Sequence, residues 1–160
     1  MTEDTTEAQE DNVVLTDDER EAFYKAFLSD QPYEEEFDMA KGTFKVKFRT
    51  RTLAENDEFY EQVRYDQNNG VAHNDDSYFM KLAQYRAAQG LMEINGEPFQ
   101  AKVPPEIKKG DTRTRILASQ FDNLHLFKVS CIMEAFQLFE KKVAKLSKEI
   151  FDADFYKAGE

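Results

Sequence analysis

The feature that most limits how this chain can fold lies in its last long segment. Val129, Ile132, Phe136, Phe139, Val143, Leu146 and Ile150 recur there at alternating spacings of three and four, with Lys, Glu, Gln and Ser between them. That 3.5-residue period belongs to a helix lying along another helix. Two assignments fit it. The seam is the inner face of an intramolecular bundle helix, or it is a face that binds a partner, and its seven residues are the candidate partner-binding set.

A chain of 160 residues is long enough for one well-formed core. Its 14 Phe and 7 Tyr supply large buried area per residue. The net charge of −11 argues against a nucleic-acid partner, because phosphate binding needs clustered Lys and Arg. An acidic surface favours solubility and can hold basic or aggregation-prone protein partners apart. The single Cys131 excludes an intrachain disulfide and reads as a buried thiol. No stretch approaches the ~20 apolar residues that cross a bilayer, and the acidic N-terminus has no signal-peptide core. No membrane partner is therefore expected, and the cytoplasm is the expected compartment.

Residues 1–14 carry Glu3, Asp4, Glu7, Glu10 and Asp11 with little to bury, so a disordered acidic tail is expected there. One globular α+β domain is expected over 15–160. Thr16 and Glu19 read as a capping box opening a helix that carries Phe23, Tyr24, Phe27 and Leu28 on one side and stops before Pro32. Glu34-Glu35-Glu36 with Phe37 and Asp38 reads as an exposed linker. Over 42–51 the period changes to two, with Phe44, Val46 and Phe48 alternating with Lys45, Lys47 and Arg49. Thr52 and Glu55 form a second capping box, for a helix with Leu53, Tyr60 and Val63 inward. Gly70 closes that helix as a left-handed cap.

A further helix is expected from Asp75 or Asp76 to Gly90, carrying Tyr78, Phe79, Leu82, Tyr85 and Arg86. The stretch 91–99 reads as a hairpin whose Asn95-Gly96 pair favours a type I′ turn, with Pro98 on an edge strand. Residues 101–110 read as a loop, Asp111 or Thr112 as the cap of a short helix, and Asp122 as the cap of the long one. The fold class expected is α+β, mostly helical, with one small antiparallel sheet and a long C-terminal amphipathic helix.

Catalytic equipment is not evident. His73 lies in His73-Asn74-Asp75-Asp76, but a zinc site needs three or four converging ligands, and a helix-capping loop accounts for the same residues. His125 falls in the first turn of the terminal helix and reads as a partly buried structural histidine. It lies six residues from Cys131, on a different helix face, which disfavours a catalytic pair. The 32 acidic residues give accidental carboxylate pairs, none marked by a pocket signature, and no phosphate-loop or nucleophile-elbow motif occurs. No catalytic residue, cofactor or metal is assigned, and the chain reads as a non-enzyme. The basic stripe Lys45, Lys47, Arg49 and Arg51 reads as a solvated outer face blunting an edge strand, or as a surface for acidic residues of another subunit.

Two segments together carry a family resemblance. The first is Gly42-Thr43-Phe44-Lys45-Val46-Lys47-Phe48-Arg49-Thr50-Arg51-Thr52-Leu53, a Gly-led strand running into a capped helix. The second is Tyr78-Phe79-Met80-Lys81-Leu82-Ala83-Gln84-Tyr85-Arg86-Ala87-Ala88-Gln89. It is followed by Ile94-Asn95-Gly96, a helix with Arg113 and Arg115, and then the long amphipathic helix. This order, over about 42–150, resembles the small tail-assembly chaperones of tailed bacteriophages and the related baseplate-hub assembly proteins of contractile phages. The resemblance implies a non-enzymatic assembly chaperone that binds tail tube, tape-measure or baseplate subunits in the host cytoplasm. The alternative is a permanent subunit of the virion, in tail, baseplate or connector. Homo-oligomerisation is compatible with either. The acidic tail lies outside the family pattern.

Overall fold

Three of the described helix starts are set by threonine. Thr16, Thr52 and Thr112 each accept, on Oγ1, a hydrogen bond from the backbone N–H three residues on, at 3.1, 3.2 and 3.1 Å. Each satisfies one of the amides that a helix N-terminus leaves without a partner. The computed structural model describes residues 13–71 and 76–152. In chain order its elements are α1 (Asp17–Ser29), β1 (Glu34–Met39), β2 (Phe44–Arg49), α2 (Leu53–Asn68), α3 (Asp76–Gly90), β3 (Leu91–Ile94) and β4 (Glu97–Pro98). A 3-10 turn (Gln100–Lys102), α4 (Arg113–Ser119), a second 3-10 turn (Gln120–Asn123) and α5 (Leu126–Phe151) follow. The chain is a mostly helical α+β protein with one antiparallel four-stranded sheet, in the order β1-β2-β3-β4, and a long C-terminal helix. That is the class its periodicities predict.

The described residues fall into two compact units, one of residues 13–33 with 137–152, the other Glu34–Phe136. In the second unit, β2 buries Phe44, Val46 and Phe48, the last fully. Burying one such side chain contributes about 1.5–3 kcal/mol. The Phe48 ring packs edge-on to Phe37 at 6.2 Å and against Phe136 at 5.4 Å.

Two readings are corrected here. Glu34–Met39 is a strand, not a linker, and it pairs along its whole length with β2. Consequently β2 is a central strand, and its basic stripe does not guard an edge. The physical reason is charge. The acidic residues disfavour a strand by propensity, but each outward carboxylate of β1 stands opposite a cation of β2 (Glu34↔Arg49, Glu36↔Lys47, Asp38↔Lys45).

The β3–β4 turn is type I′, with φ of 50° at Asn95 and 79° at Gly96. Asn95 also ties the turn to β2. Its Oδ1 accepts from the Lys45 amide at 2.8 Å, and its own amide donates to the Lys45 carbonyl at 2.8 Å. Pro98 lies in the edge strand β4, where its missing N–H costs no ladder bond. Gly90 ends α3 fully in the interior, where a Cβ would stand 3.0 Å from the Arg49 carbonyl oxygen.

The inward face of α2 also differs from the expectation. Phe59, Gln62 and Asp66 are buried, Val63 is half-buried, and Leu53 (76 % exposed) and Tyr60 (52 %) point to solvent. Polar side chains can occupy that face because each has a partner. Gln62 Nε2 donates to Asp66 Oδ1 at 2.8 Å, Tyr85 Oη donates to Asp66 Oδ2 at 3.0 Å, and Thr112 Oγ1 donates to Gln62 Oε1.

Helix α5 spans 26 residues, about 39 Å at 1.5 Å per residue. It starts at Leu126 and is not capped by Asp122, which lies in the preceding 3-10 turn. His125 takes the capping position, its Nδ1 accepting from the Phe127 amide at 3.1 Å.

In the first unit, α1 is held to the C-terminal part of α5 by ion pairs and rings. Arg20 Nε lies 3.0 Å from Glu149 Oε2, and Lys142 Nζ lies 3.4 Å from Glu19 Oε1. Tyr33 stacks on Phe139 at 6.2 Å and takes the Phe23 ring edge-on at 5.4 Å. Glu19 therefore serves Lys142 and does not close a reciprocal capping box with Thr16. The tail boundary is corrected too. Val13 and Leu15 are buried, and Lys145 Nζ donates to the Val13 carbonyl at 2.7 Å, so the packed chain begins before residue 14. The remainder of the expected disordered tail, 1–12, lies outside the described residues.

Candidate protein-binding face

The seam proposed from sequence as the partner-binding set is interior. Ile132, Phe136, Phe139, Leu146 and Ile150 are buried, and Val129 and Val143 are half-buried. Phe136 packs against Phe48 and Phe139 against Tyr33. Within this fold the seam is a packing surface, covered by the chain's own aromatic residues. A periodic apolar stripe cannot by itself distinguish these two uses, since both require the same residues at the same spacing.

One surface that offers apolar area is on α1; Leu126 with Phe127 and Phe79 with Met80 are exposed elsewhere. Its half-buried side is Glu19, Phe23 and Ala26, spaced four and three apart. Phe27 flanks that side and Tyr24 and Leu28 lie further round the helix; the three are 53, 42 and 79 % exposed. They stand at i, i+3 and i+4, one contiguous outward patch. Of the four residues expected on one side of α1, Phe23 is half-buried and Tyr24, Phe27 and Leu28 are exposed. A signal was available. At 100° per residue the four residues spread over about 140° of the helix, somewhat wider than a stripe of about 100°. Glu21 and Asp17, both exposed, continue the line of Tyr24 and Leu28 toward the helix N-terminus, at spacings of three and four.

Other constellations of chemistry-bearing residues are structural. Below the Gln62–Asp66–Tyr85 cluster, Gln89 Nε2 donates to the Glu55 carbonyl at 2.7 Å and to Thr114 Oγ1 at 3.0 Å, while Arg51 Nη1 donates to Gln89 Oε1 at 2.9 Å. Burial, then the Asp66 carboxylate, push the Tyr85 phenol well above its ordinary value. Burial pushes the Glu58 carboxyl up. Burial would also raise Glu55, but the Arg49 guanidinium at 2.7 Å and the Thr52 amide outweigh it, so that carboxyl lies below its ordinary value. Among the described residues, Glu55 and Thr52 form the one reciprocal capping box.

His125 is exposed and serves as a helix cap, which corrects its assignment as a partly buried residue. Cys131 is half-buried, less enclosed than expected. His73 and its Asn74 and Asp75 neighbours lie outside the described residues. Among the described residues, no group of three or more His, Cys, Asp or Glu is placed to hold a metal ion, and no helix is long and apolar enough to cross a membrane. A groove of ≈ 390 Å³ runs between the β3–β4 hairpin and the start of α5, lined by Ile94, Pro98, Phe99 and Leu124 with Glu97 and Lys128. It carries no nucleophile beside a base, and Lys128 is positioned over the Phe44 ring at 5.7 Å.

Comparison of this chain with protein-family models, with curated proteins and with solved structures found no match.

Proposed function

We propose that the protein is a non-enzymatic binding protein that acts by covering apolar surface on a protein client. The observation that carries this reading is the outward α1 patch of Tyr24, Phe27 and Leu28, three large apolar side chains at helical spacing left in solvent. The acidity of the chain supports it, because a net charge of −11 keeps a complex with an aggregation-prone client soluble. With the resemblance over 42–150, the client class is a phage tail tube, tape-measure or baseplate subunit, and the place of action is the host cytoplasm.

An assembly factor of this kind works by occupancy, so its effect saturates at a fixed ratio to the client. Light scattering of a tail tube or tape-measure protein, followed at several molar ratios of this protein, tests it. Suppression of aggregation is expected to plateau near a simple ratio and to be lost in the Phe27→Ser/Leu28→Ser variant. Absence of suppression, together with recovery of the chain from mature virions, would replace this reading with that of a permanent structural subunit.

A further inference from the structure

We infer that the α1 patch takes a cationic amphipathic helix. This rests on the binding role proposed above and specifies the chemistry of the partner. The argument is the layout of charge along one line of α1. Asp17, Glu21, Tyr24 and Leu28 follow each other at spacings of four, three and four, with Phe27 beside them. The line is thus acidic over its first half, with Arg20 beside it, and apolar over its second. From Asp17 to Leu28 it is about 16 Å long, which is three helical turns.

The cations of α1 offset only part of this line: Arg20 is shared between Asp17 and Glu149, and Lys25, four residues after Glu21, forms no ion pair with it. Arg20 is drawn to Glu149, with its Nε at 3.0 Å and Nη2 at 3.4 Å from the two carboxylate oxygens, although its Nη1 also reaches Asp17 at 3.0 Å. Glu21 is exposed, and so is Asp18 beside the line. A second copy of the chain would bring the same acidic residues and another net charge of −11 to the contact, so a copy of itself is the disfavoured occupant. A helix with an apolar face of two turns and Lys or Arg one turn beyond it matches both halves of the line. Extended segments offer side chains at a period of two, which does not follow a helical ridge.

The test is fluorescence anisotropy of two labelled synthetic peptides with the intact protein. One is an amphipathic Leu/Lys helix of about 18 residues, long enough to be helical when bound. The other has the same Leu face with Glu in place of Lys. The Lys peptide is expected to bind roughly tenfold tighter at low salt, as two exposed charge contacts would give. The preference should shrink as salt screens it, and should fall in the Asp17→Asn/Glu21→Gln variant. Phe27→Ser/Leu28→Ser should lose the Lys peptide. All these positions are solvent-facing, and circular dichroism checks that each variant keeps its helix content.

Equal binding of both peptides, lost in Phe27→Ser/Leu28→Ser, would overturn the cationic partner and leave the apolar binding role intact. Unchanged binding of the Lys peptide by that variant would overturn the inference, by showing general attraction to an acidic protein. Binding of neither peptide by a protein that still suppresses client aggregation would also overturn it.

Discussion

Lys47 Nζ lies 3.3 Å from Glu34 Oε2, and the pair belongs to a charge ladder that runs across the outer face of the sheet. Lys47 stands opposite Glu36 on one neighbouring strand and Glu93 on the other. The basic stripe of β2 and the acidic run of β1 are therefore halves of one device.

This arrangement predicts the effect of reversing the central charge. Lys47→Ala should cost little, about 0.2–1 kcal/mol, because both side chains of the ion pair are partly exposed. Lys47→Glu should cost more, since it sets three carboxylates side by side across adjacent strands. Thermal midpoints at low and high salt provide the check. Part of the Lys47→Glu loss should return as salt rises, and a loss indifferent to salt would show that packing, not charge, is disturbed.

The interior seam predicts a different class of effect. Phe136 is buried against Phe48, so Phe136→Ala should cost about 3–5 kcal/mol, and Phe136→Asp should cost more by burying a charge. Urea unfolding followed by circular dichroism measures both. Full retention of a cooperative transition at the original midpoint in Phe136→Asp would show that this face is not core.

Acid should weaken the Arg49–Glu55 contact. The folded-state carboxyl of Glu55 lies below its ordinary value of 4.5, so the group binds its proton less readily when folded. Its contribution to stability is then present in full above the ordinary value and is lost as pH falls through the lower, folded one. Glu55→Gln should be less stable than the parent at neutral pH, with the difference shrinking below pH 4.5. A difference that stays constant from neutral to acid pH would contradict this.

Much of the fold was legible because it rests on local rules. Thr16, Thr52 and Thr112 marked helix starts, Asn95-Gly96 marked the hairpin, and the alternation of Phe44, Val46 and Phe48 marked β2. The failures share a cause, which is that the deciding interaction is distant in sequence. Glu34-Glu35-Glu36 becomes a strand only by meeting Lys45, Lys47 and Arg49. Gln62 and Asp66 go inside only because Tyr85 and Thr112 meet them there, while hydrophobicity alone sent Leu53 and Tyr60 inward. The α5 seam was left open between core and partner surface for a related reason. The strongest apolar period in the chain was its core, and the weaker patch on α1 is revealed only by what α1 does not pack against.

If the outer side of α1 binds the client, the α5 seam stays core in the complex. Hydrogen–deuterium exchange of the protein alone and with saturating client tests this most directly. Binding should slow exchange across 20–30 and leave the already protected amides of 132–146 unchanged. Protection confined to the α5 segment, with α1 exchanging as in the free protein, would contradict it.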